Sequence, residues 1–176
     1  MSERSASKSL CKAQLRLTIT ATVGKSLVPR LKRHVVAAHA LLGKKTALEE
    51  LSLALVGDRI MSELHEQFMS IPGPTDVLTF PLEMDGCGRV TSGEVVIDVA
   101  EARRRAKEQD VEVWEEVLLY AIHGLLHLCG YDDRTNQDFA LMHQTEDQIL
   151  KKLGLEPVFH RAGNRTPGNG RGGGRR

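Results

Sequence analysis

Two histidines four residues apart are the side chains in this sequence best suited to chemistry. His123 and His127 fall in the stretch HGLLHLCGYDDR, inside an apolar segment with the pattern of a buried helix. Residues four apart on an α-helix lie on one face, so both imidazoles can bind a common metal ion. The pair therefore predicts a metal site. The alternative is that either histidine is a hydrogen-bonded residue of the core.

A glycine and two aspartates follow the histidines. Gly130 can adopt the left-handed conformation that ends a helix, which lets the chain fold back on itself. Asp132 or Asp133 then reaches the histidines as a third ligand. Three ligands on one side of a tetrahedral ion leave the fourth position to water, as in catalytic zinc sites. An ordinary helix end would explain the glycine and one aspartate, but it would not explain two histidines in an apolar helix.

The residue after the first histidine restricts the chemistry. In HExxH metallopeptidases a glutamate at this position is the general base, whereas this chain has Gly124. A metallopeptidase is therefore disfavoured, and a hydrolase whose zinc activates water is favoured. Asp132 and Asp76 are the candidates for a general base. Two histidines and a carboxylate also serve non-haem iron oxygenases, but those ligands usually come from separate strands.

Composition indicates one soluble domain. The chain has 176 residues, of which 41% are hydrophobic, and no apolar run approaches the length of about 20 residues that a membrane span needs. Residues 1–12 lack the apolar segment of a secretory signal, and the three cysteines have no paired spacing. We therefore expect a cytoplasmic protein without a membrane partner.

Charge is distributed unevenly along the chain. Residues 1–33 contain eight Lys/Arg and one acidic residue, and residues 161–176 contain five Arg and no acidic residue. Residues 34–160 contain 11 Lys/Arg and 22 Asp/Glu, a net charge of −11. Basic ends are typical of chains that bind phosphates, but they also occur as tails that only aid solubility.

Hydrophobic periodicity predicts an α+β fold. We expect a single small domain in which about five helices cover a mixed four-stranded sheet, with the most apolar helix, 112–128, at the centre. The strand at 76–80 either ends at Pro81 or lies at a sheet edge. The expected segments are a flexible basic N-terminus (1–14), the domain (15–156) and a disordered Gly/Arg-rich tail (161–176).

Three ordered motifs resemble the YbeY family of bacterial endoribonucleases, the rRNA maturation factors. HGLLHLCGYDD (123–133) resembles the family signature His-Gly-x-Leu-His-Leu-x-Gly-Tyr-Asp-His in all but its last position. TDVLTFP (75–81) and GEVVI (93–97) resemble two further family segments in the same order. The resemblance covers roughly residues 15–156.

The resemblance implies a metal-dependent hydrolase that holds one Zn²⁺ per chain and cleaves single-stranded RNA. It further implies a role in maturing the 3′ end of 16S rRNA and in ribosome quality control, with RNA, rRNA and the small ribosomal subunit as partners. His123, His127 and Asp133 are the metal ligands that it implies. Asp133 stands where the family has a third histidine, so the site carries one more negative charge.

A second departure concerns RNA binding. The family usually has an arginine six residues before the threonine of TDVLTFP, and this chain has Met69. Either Arg59 or Arg89 takes over that role, with Arg171 and Arg175 of the tail as further RNA-binding candidates, or the nuclease activity is weaker. The alternative function is a ribosome-associated assembly factor whose metal site is not catalytic.

Overall fold

A mixed four-stranded sheet forms the centre of the fold in the computed structural model, which describes residues 14–157. Its strands are β1 (Arg16–Ala21), β2 (Glu50–Val56), β3 (Val77–Met84) and β4 (Val90–Asp98). They lie in the order β1-β2-β4-β3; the first three in this order are parallel, and β3 pairs antiparallel with β4. β3 is therefore an edge strand.

The edge position explains why β3 continues past Pro81. A proline cannot donate to a strand ladder, so it is tolerated at an edge and rarely inside a sheet. The register with β4 shifts between Pro81 and Met84, where Leu82 has no partner. The sequence left two possibilities for Pro81, and the structure selects the edge strand.

Five helices cover the sheet, as the sequence predicted. They are α1 (Val28–Leu42), α2 (Asp58–Met69), α3 (Val99–Gln109), α4 (Val113–Leu128) and α5 (Asn136–Lys152), with short 3₁₀ turns at Lys25–Leu27 and Gly43–Lys45. Neighbouring strand residues point to opposite faces. Val95 accordingly joins the main core with α1, α4 and α5, while Val96 joins a smaller cluster beneath α2. The α+β fold class is confirmed.

Helix α4 is central, and two glycines let it lie close to the sheet. A Cβ atom on Gly124 would lie 2.6 Å from a methyl carbon of Val95 and 3.1 Å from the Thr79 hydroxyl. A Cβ on Gly93 would lie 2.6 Å from Leu128. Position 124 therefore faces the sheet, and a glutamate could not fit there. The lack of the metallopeptidase base thus has a packing reason.

Several sequence predictions concern residues outside the described range. The N-terminal segment, apart from its last residue, and the tail with Arg171 and Arg175 fall there, as does Cys11. Within the described part of the chain, Cys87 and Cys129 are free thiols. None of the helices in residues 14–157 combines the length and apolar character needed to cross a bilayer.

Candidate metal centre

The end of α4 brings an aspartate back to the two histidines. Gly130 has a φ of 88°, and its N–H donates to the carbonyl oxygen of His127 at 3.0 Å. The N–H of Tyr131 donates to the carbonyl oxygen of Leu126 at 3.1 Å. These two bonds form the Schellman motif, in which a left-handed residue reverses the chain after a helix. The left-handed turn predicted at Gly130 is confirmed.

Asp133, and not Asp132, lies beside the imidazoles. One carboxylate oxygen of Asp133 is 3.7 Å from Nε2 of His123 and 3.9 Å from Nε2 of His127. Asp132 instead accepts a hydrogen bond from the backbone N–H of Asp133 at 2.8 Å and forms an ion pair with Arg134 at 2.7 Å. The two aspartates left open by the sequence therefore have different surroundings.

The two imidazoles point their Nε2 atoms at a common point. These atoms are 2.9 Å apart, and the ring planes are inclined at 80°. One ligand atom from each of His123, His127 and Asp133 fits within a group whose members are all closer than 4.8 Å to one another. Two nitrogen donors and one carboxylate oxygen are a donor set that suits Zn²⁺ and similar ions.

The other ring nitrogen of each histidine is held by the protein. Nδ1 of His127 donates to the carbonyl oxygen of Tyr131 at 3.1 Å, and Nδ1 of His123 lies 2.7 Å from a carboxylate oxygen of Glu146. A proton on Nδ1 leaves the lone pair on Nε2, where the two rings converge. Metal-binding histidines typically have this kind of outer hydrogen bond, which fixes both tautomer and ring orientation. The residues therefore fit a divalent transition metal.

Two residues near the histidines were not predicted from the sequence, Glu146 and its second partner, His143. The Glu146 side chain on α5 is only 4% exposed, and its other carboxylate oxygen lies 2.6 Å from Nδ1 of His143. The ring of His143 stacks on that of His123 with centroids 6.4 Å apart. One signal was present in the sequence: Glu146 shares the buried face of α5 with Met142, Ile149 and Leu150. An acidic residue on an apolar helix face requires a buried partner.

Negative charge accumulates around His123. Burial lowers its pKa, but the hydrogen bond with Glu146 and the charges of Glu146, Asp133 and Asp76 outweigh burial and raise the pKa above its usual value. Carboxylates that favour an imidazolium also favour a bound cation. The electrostatics of the site thus agree with its donor set.

A cavity of about 580 Å³ opens beside the histidines, between α4 and the edge strand β3. Asp76 lines this cavity with Asp133, and its carboxylate accepts a hydrogen bond from the backbone N–H of Val77 at 2.8 Å. Asp132 is not part of the lining. The structure thus places one of the two general-base candidates in the cavity.

The arginines expected to replace the family arginine lie elsewhere. Arg59 forms an ion pair with Glu63 at 2.8 Å, and Arg89 forms one with Asp85 at 2.7 Å. Neither residue lines the cavity, whereas Met69 does.

A family model described as Endoribonuclease YbeY matches residues 18–154. The chain belongs to the YbeY endoribonuclease family. The YbeY of Anaeromyxobacter sp. (strain Fw109-5) is 38% identical over 141 residues, which cover 80% of this chain and 72% of the relative. The YbeY of Moorella thermoacetica is 36% identical over 142 residues, which cover 76% of this chain and 90% of the relative.

A solved structure supports the same fold. The solution structure of a Thermotoga maritima protein superposes with a TM-score of 0.55 and 25% identity, covering 88% of this chain and 98% of that one. Met69 and Asp133, the two positions at which the resemblance implies other residues, line one cavity.

Proposed function

We propose that this YbeY-family chain is a metal-dependent, single-strand-specific endoribonuclease of the cytoplasm. Its proposed substrate is rRNA, in maturation of the 16S 3′ end and in ribosome quality control on the small subunit. The observation that carries the proposal is the convergence of both Nε2 atoms and the Asp133 carboxylate beside an open cavity. Family membership supports RNA as the substrate.

His123, His127 and Asp133 are the proposed ligands of one Zn²⁺ per chain. When bound, such an ion supplies a Lewis acid for a phosphoryl oxygen and lowers the pKa of water. The chain's own residues hold the imidazoles in place: Glu146 orients His123, and the carbonyl oxygen of Tyr131 orients His127. Both bonds reduce the reorganisation that ligand binding requires.

Asp76 is the proposed general base. It is a carboxylate of the cavity wall that can accept a proton from the attacking water. The hydrogen bond from the N–H of Val77 fixes its position without occupying both of its oxygens. Asp132 is the weaker candidate, because its carboxylate is bound to Arg134 outside the cavity lining.

A second candidate function is a ribosome-associated assembly factor with a non-catalytic metal site. Two features favour it: Met69 stands where the resemblance implies an arginine, and residues 34–160 contain 22 acidic against 11 basic residues. This excess of acidic residues repels a polyanion such as RNA. In this case the basic ends would supply the affinity for rRNA.

Chelator-controlled cleavage of RNA separates these functions. The full-length protein is incubated with an end-labelled single-stranded RNA and its duplex, first with EDTA and then with Zn²⁺, Mn²⁺ or Mg²⁺ in excess. We expect cleavage of the single strand only, loss of cleavage with EDTA and recovery with metal. Metal-loaded protein that binds small subunits without cleaving RNA would instead support the assembly factor. Chelator-sensitive cleavage of casein would favour a metallopeptidase.

Glu146→Gln is expected to lower zinc affinity by about 10–100-fold, the usual effect of removing an outer partner of a ligating histidine. Glutamine preserves the size of the side chain but removes the charge shared by His123 and His143. Competition with a chromophoric chelator measures the affinity. Glu63→Gln, in an exposed ion pair on α2, is the control and should bind zinc like the wild type. Equal affinities for a folded Glu146→Gln protein would contradict this role.

A further inference from the structure

Seven of the twelve residues that line the cavity beside the candidate metal centre are apolar. Met69 ends α2 and Met84 ends β3, and both line the cavity. Among the described residues of the lining, none is a lysine or an arginine. The charged carboxylates that line it are Asp76 and Asp133. Apart from a bound metal ion and the two histidines, a phosphate group therefore finds no positively charged partner among these residues.

Further exposed apolar side chains lie close in the chain to Met69 and Met84. Five residues at the end of α2, in the loop after it and in the second half of β3 are between 51% and 59% exposed, and we call them the apolar rim: Phe68, Met69, Ile71, Leu82 and Met84. They account for most of the large exposed hydrophobic residues in the described part of the chain. The rings of Phe68 and Phe80 meet edge-on with centroids 4.9 Å apart, which joins α2 to β3.

Two of these five residues, Met69 and Met84, line the cavity itself. Single exposed apolar residues are ordinary, but exposed apolar residues that line a cavity together indicate a binding surface. Leu41 on α1 is exposed as well, but it does not line this cavity. Met69 and Met84 line the same cavity as His123, His127 and Asp133, where the proposed function places the RNA.

Bases are the part of RNA that an apolar wall can bind. The carboxylates in the cavity and the net negative charge of residues 34–160 disfavour phosphates. An unpaired base instead presents a large apolar face. Methionine side chains are flexible and polarisable, and they pack well against aromatic rings. A duplex hides its base faces in the stack, so this kind of contact requires a single strand.

We infer that the apolar rim binds unpaired bases next to the phosphate that is cut, with Met69 and Met84 as the principal contacts. Recognition of RNA at this site then depends on base contact rather than on phosphate charge. The inference rests on the proposed function, and it gives single-strand specificity a structural cause, because only a single strand exposes its base faces to Met69 and Met84.

Binding of labelled oligonucleotides tests the inference. Fluorescence anisotropy is measured with full-length protein in EDTA, which keeps the RNA intact, using single-stranded oligoadenylate and an abasic oligomer of equal length. Met69→Ala and Met84→Ala are expected to weaken oligoadenylate binding about five-fold or more, at the lower end of the range for loss of a base contact. Leu41→Ala is the control and should bind like the wild type.

Salt separates base contact from the contribution of the basic ends. The loss caused by Met69→Ala should be the same factor at about 50 and 200 mM salt, because only phosphate contacts weaken steeply with salt. Met69→Arg should instead make binding more sensitive to salt, because the arginine adds a phosphate contact. For a single strand, one added contact steepens the slope of log affinity against log salt concentration by about 0.7. The abasic oligomer should not distinguish Met69→Ala from the wild type.

The possible results separate this inference from the proposed function. If Met69→Ala and Met84→Ala bind oligoadenylate like Leu41→Ala while the wild type cleaves RNA, the inference is wrong and the function stands. An equal loss with the abasic oligomer would also overturn base binding. If the wild type neither binds nor cleaves RNA, both fail. Weakened association of the two variants with small subunits would then assign the apolar rim to a protein partner.

Discussion

His127→Ala is expected to reduce cleavage of single-stranded RNA by about a thousandfold. The substitution removes one of two nitrogen donors together with its hydrogen bond to the Tyr131 carbonyl. Metal-ion catalysis supplies several kcal/mol of transition-state stabilisation, and each 1.4 kcal/mol corresponds to about ten-fold in rate. Single-turnover rates with metal in excess measure the effect.

The control for His127→Ala is another histidine bound to a backbone carbonyl. Nε2 of His39 donates to the carbonyl oxygen of Leu48 at 2.9 Å, on α1 and outside the lining of the cavity. His39→Ala should therefore cost some stability but leave the cleavage rate near that of the wild type. A folded His127→Ala protein with the wild-type rate would rule out the proposed catalytic site.

The same variant distinguishes the enzyme from an assembly factor. If the protein acts only in assembly through its basic ends, deletion of residues 161–176 should abolish association with small ribosomal subunits, and His127→Ala should leave both association and ribosome maturation intact. If it is the proposed nuclease, His127→Ala should bind subunits yet leave the 16S 3′ end unprocessed. Sedimentation with subunits and mapping of the rRNA end give the two readouts.

Asp76→Asn is expected to lower kcat about a hundred-fold with a small change in KM. Loss of a positioned general base typically costs 10²–10⁴-fold in rate, in order of magnitude. Asparagine keeps the oxygen that accepts from the N–H of Val77, so the local turn should survive. Steady-state cleavage of a short single-stranded RNA, together with thermal unfolding, checks both expectations.

Asp85→Asn is a closely matched control for Asp76→Asn. The Asp85 carboxylate also accepts backbone hydrogen bonds, from Cys87 and Arg89 at 2.9 Å, but it lies in the turn between β3 and β4 outside the cavity lining. Its replacement should leave kcat unchanged. Asp132→Asn tests the rival candidate. A large loss of kcat in Asp132→Asn with none in Asp76→Asn would show that Asp132, and not Asp76, is the general base.

Local sequence features predicted much of the framework. The apolar pattern of 112–128 predicted the central helix, observed as Val113–Leu128, and Gly130 predicted the reversal that follows it. Both depend on residues within a few positions of one another. The strand expected at 76–80 extends to Met84, because the edge position lets β3 accommodate Pro81 and an unpaired Leu82.

The surroundings of the histidines could not be derived in the same way. Glu146 is 23 residues from His123 and lies on another helix, so the sequence signals a buried acid without identifying its partner. The cavity combines the end of α2, the edge strand and α4, three segments that only the tertiary fold brings together. The sequence also left Asp132 and Asp133 equivalent; the turn distinguishes them by directing one carboxylate to Arg134 and the other to the imidazoles.

Metal content shows most directly whether His123, His127 and Asp133 hold one divalent cation. Wild type and the His123→Ala/His127→Ala/Asp133→Ala variant are loaded with Zn²⁺, dialysed together and analysed by inductively coupled plasma mass spectrometry, with circular dichroism to verify folding. We expect one equivalent of zinc in the wild type and almost none in the folded variant. Equal zinc in both proteins, or none in the wild type, would contradict this expectation.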